Sequence, residues 1–358
     1  MPNFSRIDEL TESYIAKGYF PSAVVSVFNE KETLYRAAYG ENVMPDGSVM
    51  KTTVDTAFDM ASCTKIATST QILMLIEEGK LRLETRIPEV LGEIKSRPNL
   101  YARLRSVTIY QLLTHTSGIL DWYPFYVQAG KDFFDVFESF IGDTKIVDGM
   151  EYSDMNFMLL GLVVEKIRQK PLAECVKDFR DFLGAKRMQY NLELEADPAL
   201  STNIAPSCYG NAIEEEMVAV RGLHFDGWRS KDKPVIGCND GNGFYFWGGV
   251  VGHAGICADV DAYERLCRFY LKKAPESELF MRALTEQEPG RALGMQVGPN
   301  WYPRGAGHTG FTGPYFYINP EKKIGLVTLV NRLAFPTDHG TNTGDYRKDI
   351  AALINEIL

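Results

Sequence analysis

Four β-rich runs, two near each end of the 358-residue chain, limit what it can fold into more than any other feature. AVVSVFN and TLYRAAYG flank Asn29-Glu30-Lys31-Glu32, and YFYIN and IGLVTLVNR flank Pro320-Glu321-Lys322-Lys323, so each pair reads as an antiparallel hairpin. Residues from roughly 60 to 235 read mostly as helices and long loops, including VTIYQLLTHTSG, DFFDVFESFIG and NFMLLGLVVEKIRQK. The N-terminal stretch MPNFSRIDELTESYIAKGYF and the C-terminal YRKDIAALINEIL also have helical periodicity. The simplest solution is an α+β fold: an antiparallel sheet built from both chain ends, flanked by helices, with an all-helical lobe inserted. The expected boundaries are 1–60 plus 236–358 for the α/β sheet lobe and 61–235 for the helical lobe, forming one unit over about 5–355.

Composition bears on partners. The balance of 38 basic against 47 acidic residues leaves a net charge of −9, and the chain carries no basic block, so neither nucleic acid nor an anionic membrane surface is an expected partner. FMLLGLVV is too short to span a bilayer, and the polar, acidic first helix does not read as a signal peptide, so the expected location is the cytoplasm. The six cysteines lack Cys-x-x-Cys spacing and imply neither a zinc knuckle nor a redox pair.

Chemistry is suggested by Ser62-Cys63-Thr64-Lys65, which stands just ahead of the apolar run IATSTQILMLIEEGKL. Residues three apart share a helix face, so Lys65 could take the Ser62 proton if burial made the amine neutral. Its pKa would have to fall from about 10.4 to roughly 7 or 8, a shift of about 4 kcal/mol. Ser48 to Lys51 and Ser230 to Lys233 share the spacing, but the first follows a turn and the second lies in the charged loop RSKDKP. After Ser62 the apolar residues Ile66, Ile72, Leu73, Leu75 and Ile76 recur at helical spacing until Gly79. The same residues would equally suit an N-cap and a solvated lysine.

An acylated Ser62 needs a proton donor for the leaving group and hydrogen-bond donors for the carbonyl oxygen. Tyr152, which with Ser153 and Asp154 precedes an apolar helix, suits the first role; the alternative is a helix-entry tyrosine with Asp154 as N-cap. For the second, Gly305-Ala306-Gly307-His308-Thr309-Gly310-Phe311 matches G-x-G-x-x-G by letter, but a strand follows instead of a helix. Its glycines read as a strand edge that a substrate approaches, which would place Phe311 N–H beside Ser62 N–H as an oxyanion hole. His115 and His253, in Gly- and Thr-rich turns, read as hydrogen-bonded structural histidines, while His224 and His339 carry no interpretable context.

Five segments in order, FDMASCTKIATSTQILMLIEEGKLRLETRIPEVL, VTIYQLLTHTSGI, YSDMNFMLLGLVVEKI, GGVVGHAGICADVDAYERL and GHTGFTGPYFYINPEKKIGLVTLVNR, together resemble the serine β-lactamase and penicillin-binding superfamily. The resemblance is to its class C-like branch, which also holds esterases, D-aminopeptidases and DD-carboxypeptidases. It implies that Ser62 forms the acyl-enzyme, Lys65 is its base and Tyr152 stands for the tyrosine of the Tyr-x-Asn element. His308-Thr309-Gly310 would replace Lys-Thr-Gly, with Asp154, Thr309 and Gly310 on the substrate-binding surface, no metal or organic cofactor, and the site at the seam of the lobes. Literal Tyr-x-Asn matches at Tyr209 to Asn211 and Tyr317 to Asn319 lack the following helix.

Two departures redirect the expectation. His308 stands where the carboxylate-binding lysine would be, and an imidazole with pKa near about 6.5 is only fractionally cationic at neutral pH. Asp154 puts a carboxylate where an amide donor would be, or holds Lys65 charged. The implied activity is therefore hydrolysis of small esters, or of amides related to D-amino acids or cell-wall peptides, with weak or no β-lactam hydrolysis. The alternatives are a catalytically degenerate module that binds peptide or glycan, and an acyltransferase using the same acyl-enzyme. Specificity would come from the loops near Trp122 to Phe125 and GNGFYFWGG, whose aromatics could wall a pocket or merely pack.

Overall fold

The two end hairpins meet in one antiparallel sheet. The computed structural model describes residues 3–128, 130–190, 202–336 and 342–358. The seven strands run, edge to edge, Val49–Lys51, Thr33–Val43, Ser22–Asn29, Ile324–Val330, Tyr315–Asn319, Tyr302–Thr309 and Gln296–Gly298. The chain ends join where Ser22–Asn29 pairs with Ile324–Val330, with Val24 opposite Leu329 and Val27 opposite Leu326. In the first turn the Asn29 side chain accepts from the N–H groups of Lys31 and Glu32.

The central strands are apolar along their whole length because both faces are covered. Val25, Val27, Tyr315, Tyr317 and Leu326 pack with Ile7, Tyr346 and Ile350 of the terminal helices Ser5–Ala16 and Gly344–Ile357. Val24, Phe28, Phe316 and Val327 face the other way, into the main core that includes Tyr263 and Leu266 of helix Val260–Lys273. Buried Glu264 of that helix accepts from Ser26 Oγ and Thr33 Oγ1, each at 2.6 Å, tying the helix to the first hairpin.

Helices dominate the middle of the chain. Asp132 caps Phe133–Ile141, and Thr108 with Gln111 closes a capping box at Ile109–Leu113. Helix Thr64–Glu77 is enclosed on nearly every side, so even its polar residues are buried, and Thr68 Oγ1 donates to the Gly252 carbonyl at 2.7 Å. A second, three-stranded sheet of Phe58–Asp59, Ile256–Ala258 and Met188–Tyr190 was not expected, since runs of two or three residues carry no periodic signal. Among the described residues no helix is long and apolar enough to cross a membrane, and all six cysteines are buried.

Candidate active site

The strand end Phe58–Asp59 delivers the chain to Ser62 through a strained turn. Ala61 sits in the left-handed region at φ 44°, which costs an L-residue about 1 to 2 kcal/mol. Asp59 opposes that strain. Its Oδ1 accepts the Ala61 N–H and its Oδ2 the Asn239 N–H, both at 3.0 Å, so one buried carboxylate joins the nucleophile turn to the far wall of a cleft. A 3-10 turn over Ala61–Cys63 then runs into helix Thr64–Glu77, leaving Ser62 at the helix entrance. Ser48, Lys51, Ser230 and Lys233 are all exposed.

Lys65 is 0% exposed, yet each of its three possible donors has an acceptor. Its Nζ lies 3.0 Å from Ser62 Oγ, 2.7 Å from Asp154 Oδ1 and 3.3 Å from the His253 carbonyl. Burial alone would lower the lysine pKa; the charge of Asp154, followed by Tyr152, reverses the sign and leaves it above the ordinary value. The fall required of a resting neutral base is therefore absent, because an ion partner outweighs desolvation. Asp154 pairs with Lys65, as one of its two readings has it, and also lines the cleft, as the other requires. Asp154 is the first residue of helix Asp154–Arg168, and Ser153, not Asp154, occupies the N-cap position.

Tyr152 precedes that helix, with Lys65 Nζ 4.8 Å from the centre of its ring; burial raises its pKa while Lys65 opposes the rise. His115, itself at φ 57°, accepts the Ser153 N–H on Nδ1 at 3.0 Å, and its ring lies 4.6 Å from that of Tyr152. It is thus the hydrogen-bonded structural histidine expected, placed where it supports the tyrosine. His253 is likewise bonded, with Nε2 3.0 Å from Asp240 Oδ1. His339 lies outside the described residues.

The segment after Gly305 departs from expectation. Gly305 and Gly307 lie inside the sheet, where a Cβ would fall 2.0 Å from the carbonyl oxygens of Ile318 and Phe316. The neighbouring strand, not a substrate, excludes side chains there. Gly310 is the residue at the site: a Cβ on it would meet the Met60 carbonyl oxygen at 2.7 Å, so the Thr309 to Phe311 backbone lies against the nucleophile turn. Strand alternation points His308 inward, 1% exposed, while Thr309, Gly310 and Phe311 line the cleft. His308 Nδ1 meets the Thr309 carbonyl at 2.8 Å. Burial, then Lys65 and Arg291, push its pKa well below the ordinary value, so it is a neutral imidazole with no cationic fraction to read a substrate carboxylate.

The cleft, about 460 Å³, is lined by acidic side chains, Asp154, Asp240 and Glu214, and by the cations Arg332 and Arg347. Arg332 Nε donates to the Phe311 carbonyl. Trp122 lines the cleft too, whereas Phe125 and Phe246 do not line it and pack against each other, with tilted rings 5.6 Å apart. Asn242 locks those two loops together through the Phe125 N–H and the Tyr123 carbonyl. The aromatics of GNGFYFWGG therefore mostly pack. Asp154, Asp240 and His253 bring one donor atom each within 4.8 Å of one another. Lys65 already bonds Asp154, and His253 already bonds Asp240, so the trio reads as part of a hydrogen-bonded network.

Two buried carboxyls make stability depend on pH. Burial pushes Asp59 up to about 7; burial and then Asp240 push Glu214 up to about 8. In the folded chain each keeps a proton that an unfolded carboxyl releases near about 4. Their stabilising contribution is present below pH about 4 and is lost as pH rises, up to about 7 for Asp59 and about 8 for Glu214, at about 1 kcal/mol per unit for each group. Thermal melts should accordingly fall steadily between pH about 5 and 8. Glu214→Gln should flatten that fall, and a slope unchanged in the variant would refute the assignment.

A sequence profile described as Beta-lactamase matches residues 7–348. The chain belongs to the β-lactamase family. Its relatives include the N-acetylmuramyl-L-alanine amidase of Bacillus subtilis, 29% identical with 92% of this chain and 81% of that protein covered. An Escherichia coli protein provisionally named a D-alanyl-D-alanine carboxypeptidase is 26% identical, covering 92% and 82%. Similar folds include an octameric penicillin-binding protein homologue from Pyrococcus abyssi, with TM-score 0.73, 20% identity and coverage of 99% and 77%. A class C β-lactamase from Rhodobacter sphaeroides has TM-score 0.71, 17% identity and 98% coverage of both chains. The resemblance and fold class read from the sequence hold. Within this β-lactamase-family site, Asp59, Glu214, Asp240, Arg291 and Arg347 were not singled out: Asp59 stands just before Ser62 but belongs to no catalytic spacing, and the others are ordinary charged residues in segments remote from Ser62 and without a motif.

Proposed function

We propose that the protein is a serine hydrolase that works through an acyl-enzyme on Ser62 and acts on amides related to D-amino acids or cell-wall peptides, with small esters as faster surrogates. The observation that carries the reading is the contact of Ser62 Oγ with Lys65 Nζ at 3.0 Å, inside a cleft that Tyr152 also lines. Ser62 Oγ attacks the carbonyl carbon, its proton passes to the Lys65–Tyr152 pair, and the π electrons move to the oxygen. The backbone N–H groups of Ser62 and Phe311 are proposed to donate hydrogen bonds to that oxygen. The pair then returns the proton to the leaving nitrogen as the C–N bond breaks, and water releases the acyl group by the same route reversed.

The names of the amidase and carboxypeptidase relatives support an amide of the cell-wall type. Cations on the cleft wall support a substrate with a carboxylate: Arg332 and Arg347 would attract it where neutral His308 does not. The same neutrality argues for slow β-lactam turnover. Incubation with N-acetylmuramyl-L-alanyl peptides, peptides ending in D-alanyl-D-alanine, p-nitrophenyl esters and a penicillin, followed by product analysis and intact mass, tests the reading. Turnover of one of the two amide classes with little penicillin hydrolysis is expected. Failure of every amide, with only esters turned over, would overturn the substrate assignment.

A second reading has one observation in its favour. The short contact between Lys65 and Asp154 holds the lysine protonated, as a module that binds without turnover would require.

A further inference from the structure

Behind the Tyr152 ring lies a buried arginine that none of the family motifs contains. Arg291 is 8% exposed, and its guanidinium carbon stands 4.9 Å from the centre of the Tyr152 ring. Among the described residues it forms no ion pair, and its Nε and Nη1 have no hydrogen-bond partner. Its backbone, by contrast, is pinned, with Arg291 N–H on the Glu288 carbonyl at 2.8 Å and Gln287 N–H on the Arg291 carbonyl at 2.8 Å. A buried cation without a counter-ion is costly, so its position calls for a negative charge that forms nearby.

We infer that Arg291 is a positioning residue for the acyl transfer proposed above: its guanidinium, laid across the Tyr152 ring, favours loss of the proton shared by Tyr152 and Lys65 and holds the ring toward Ser62. The inference rests on the acyl-serine reading. The charged and titratable groups facing Tyr152 are Lys65 from the nucleophile helix, Asp154 beside it in the chain, His115 and His308 against its ring, Arg291 across it, and Tyr302 farther off. Lys65 is balanced by Asp154. Burial first, and then the charges of Lys65 and Arg291, hold both histidine pKa values well below the ordinary one. The surplus positive charge therefore acts on the Lys65–Tyr152 pair, which titrates as a unit. A cation at this distance favours the deprotonated pair, which is the form that accepts the Ser62 proton.

The test is the pH dependence of kcat/KM, on whichever substrate is turned over, for wild type, Arg291→Gln and Arg291→Lys. In the glutamine variant the acid limb should move up by about one unit, lowering kcat/KM about tenfold on the limb, with the high-pH plateau retained and KM within about twofold. Lysine, which restores charge without the planar stack, should recover part of the shift. A lowered plateau with an unmoved limb would mean a structural role and would overturn the inference, as would an unchanged profile. Ultraviolet titration of tyrosinate, as wild type minus Tyr152→Phe in each Arg291 background, needs no turnover and separates this inference from the acyl-serine reading. If nothing labels Ser62 but the Tyr152 midpoint still rises in Arg291→Gln, that reading fails while the electrostatic role of Arg291 stands.

Discussion

Ser62→Ala should lower hydrolysis of the responsive substrate by on the order of 10⁴-fold and abolish labelling by a fluorophosphonate probe. The effect is large because the oxygen removed is the atom that bonds to the acyl group, and the groups around it cannot replace it. Lys65 keeps its bonds to Asp154 and to the His253 carbonyl in the variant. The turn is held through Asp59 and the Ala61 N–H, not through the serine side chain. The variant should therefore fold, with a melting temperature close to that of wild type. Intact mass of substrate-treated wild type and variant, read beside the rate, decides the matter. Equal turnover by the two proteins would sink the acyl-serine reading, and retained binding of a muropeptide without turnover by either would establish the binding module.

The second large effect is expected from Asp154→Asn, which replaces the carboxylate by an amide of the same shape. Lys65, 0% exposed and 2.7 Å from that oxygen, would lose its counter-ion. Desolvation then goes unopposed, and fully buried lysines fall by up to about 3 to 5 units. The acid limb of kcat/KM should move about two units or more toward low pH, so that the rate at pH about 6 rises relative to the plateau. Stability should change in a matching direction. A folded-state lysine pKa depressed below its unfolded value makes the folded protein bind fewer protons, so the variant should be least stable at low pH and recover as pH rises. A profile with the limb unmoved and the plateau lost would show that Asp154 acts on the substrate or the proton path directly. Gain of turnover in the variant, with wild type inactive, would identify the natural ion pair as a lock.

The fold was legible wherever a regular element was long. The hairpins at both chain ends, the terminal helices and helix Asp154–Arg168 all carry enough residues for period 2 or 3.6 to register. The three-stranded sheet under the nucleophile turn was not legible. Its strands are two or three residues long and pair Phe58–Asp59 with a segment almost two hundred positions later. The glycines at 305 and 307 were misread for a related reason. A glycine shows that a side chain is excluded, but whether a substrate or a neighbouring strand excludes it depends on what packs there, here Ile318 and Phe316.

For the site, spacing and what each element precedes separated Ser62 and Lys65 from the Ser48 and Ser230 matches and offered Tyr152 and the segment before Phe311 as candidates. The resemblance to the family added Asp154 and the places of His308, Thr309 and Gly310. Charge states were decided only by tertiary structure. Lys65 was open to being neutral through burial or held charged by Asp154, and a carboxylate 89 residues away holds it charged. His308 was expected to keep a cationic fraction and has none, because Lys65 and Arg291 crowd a buried ring. Ionisation answers to every charge within a few ångströms and to the water removed around it, and folding draws those charges from segments that share no sequence pattern.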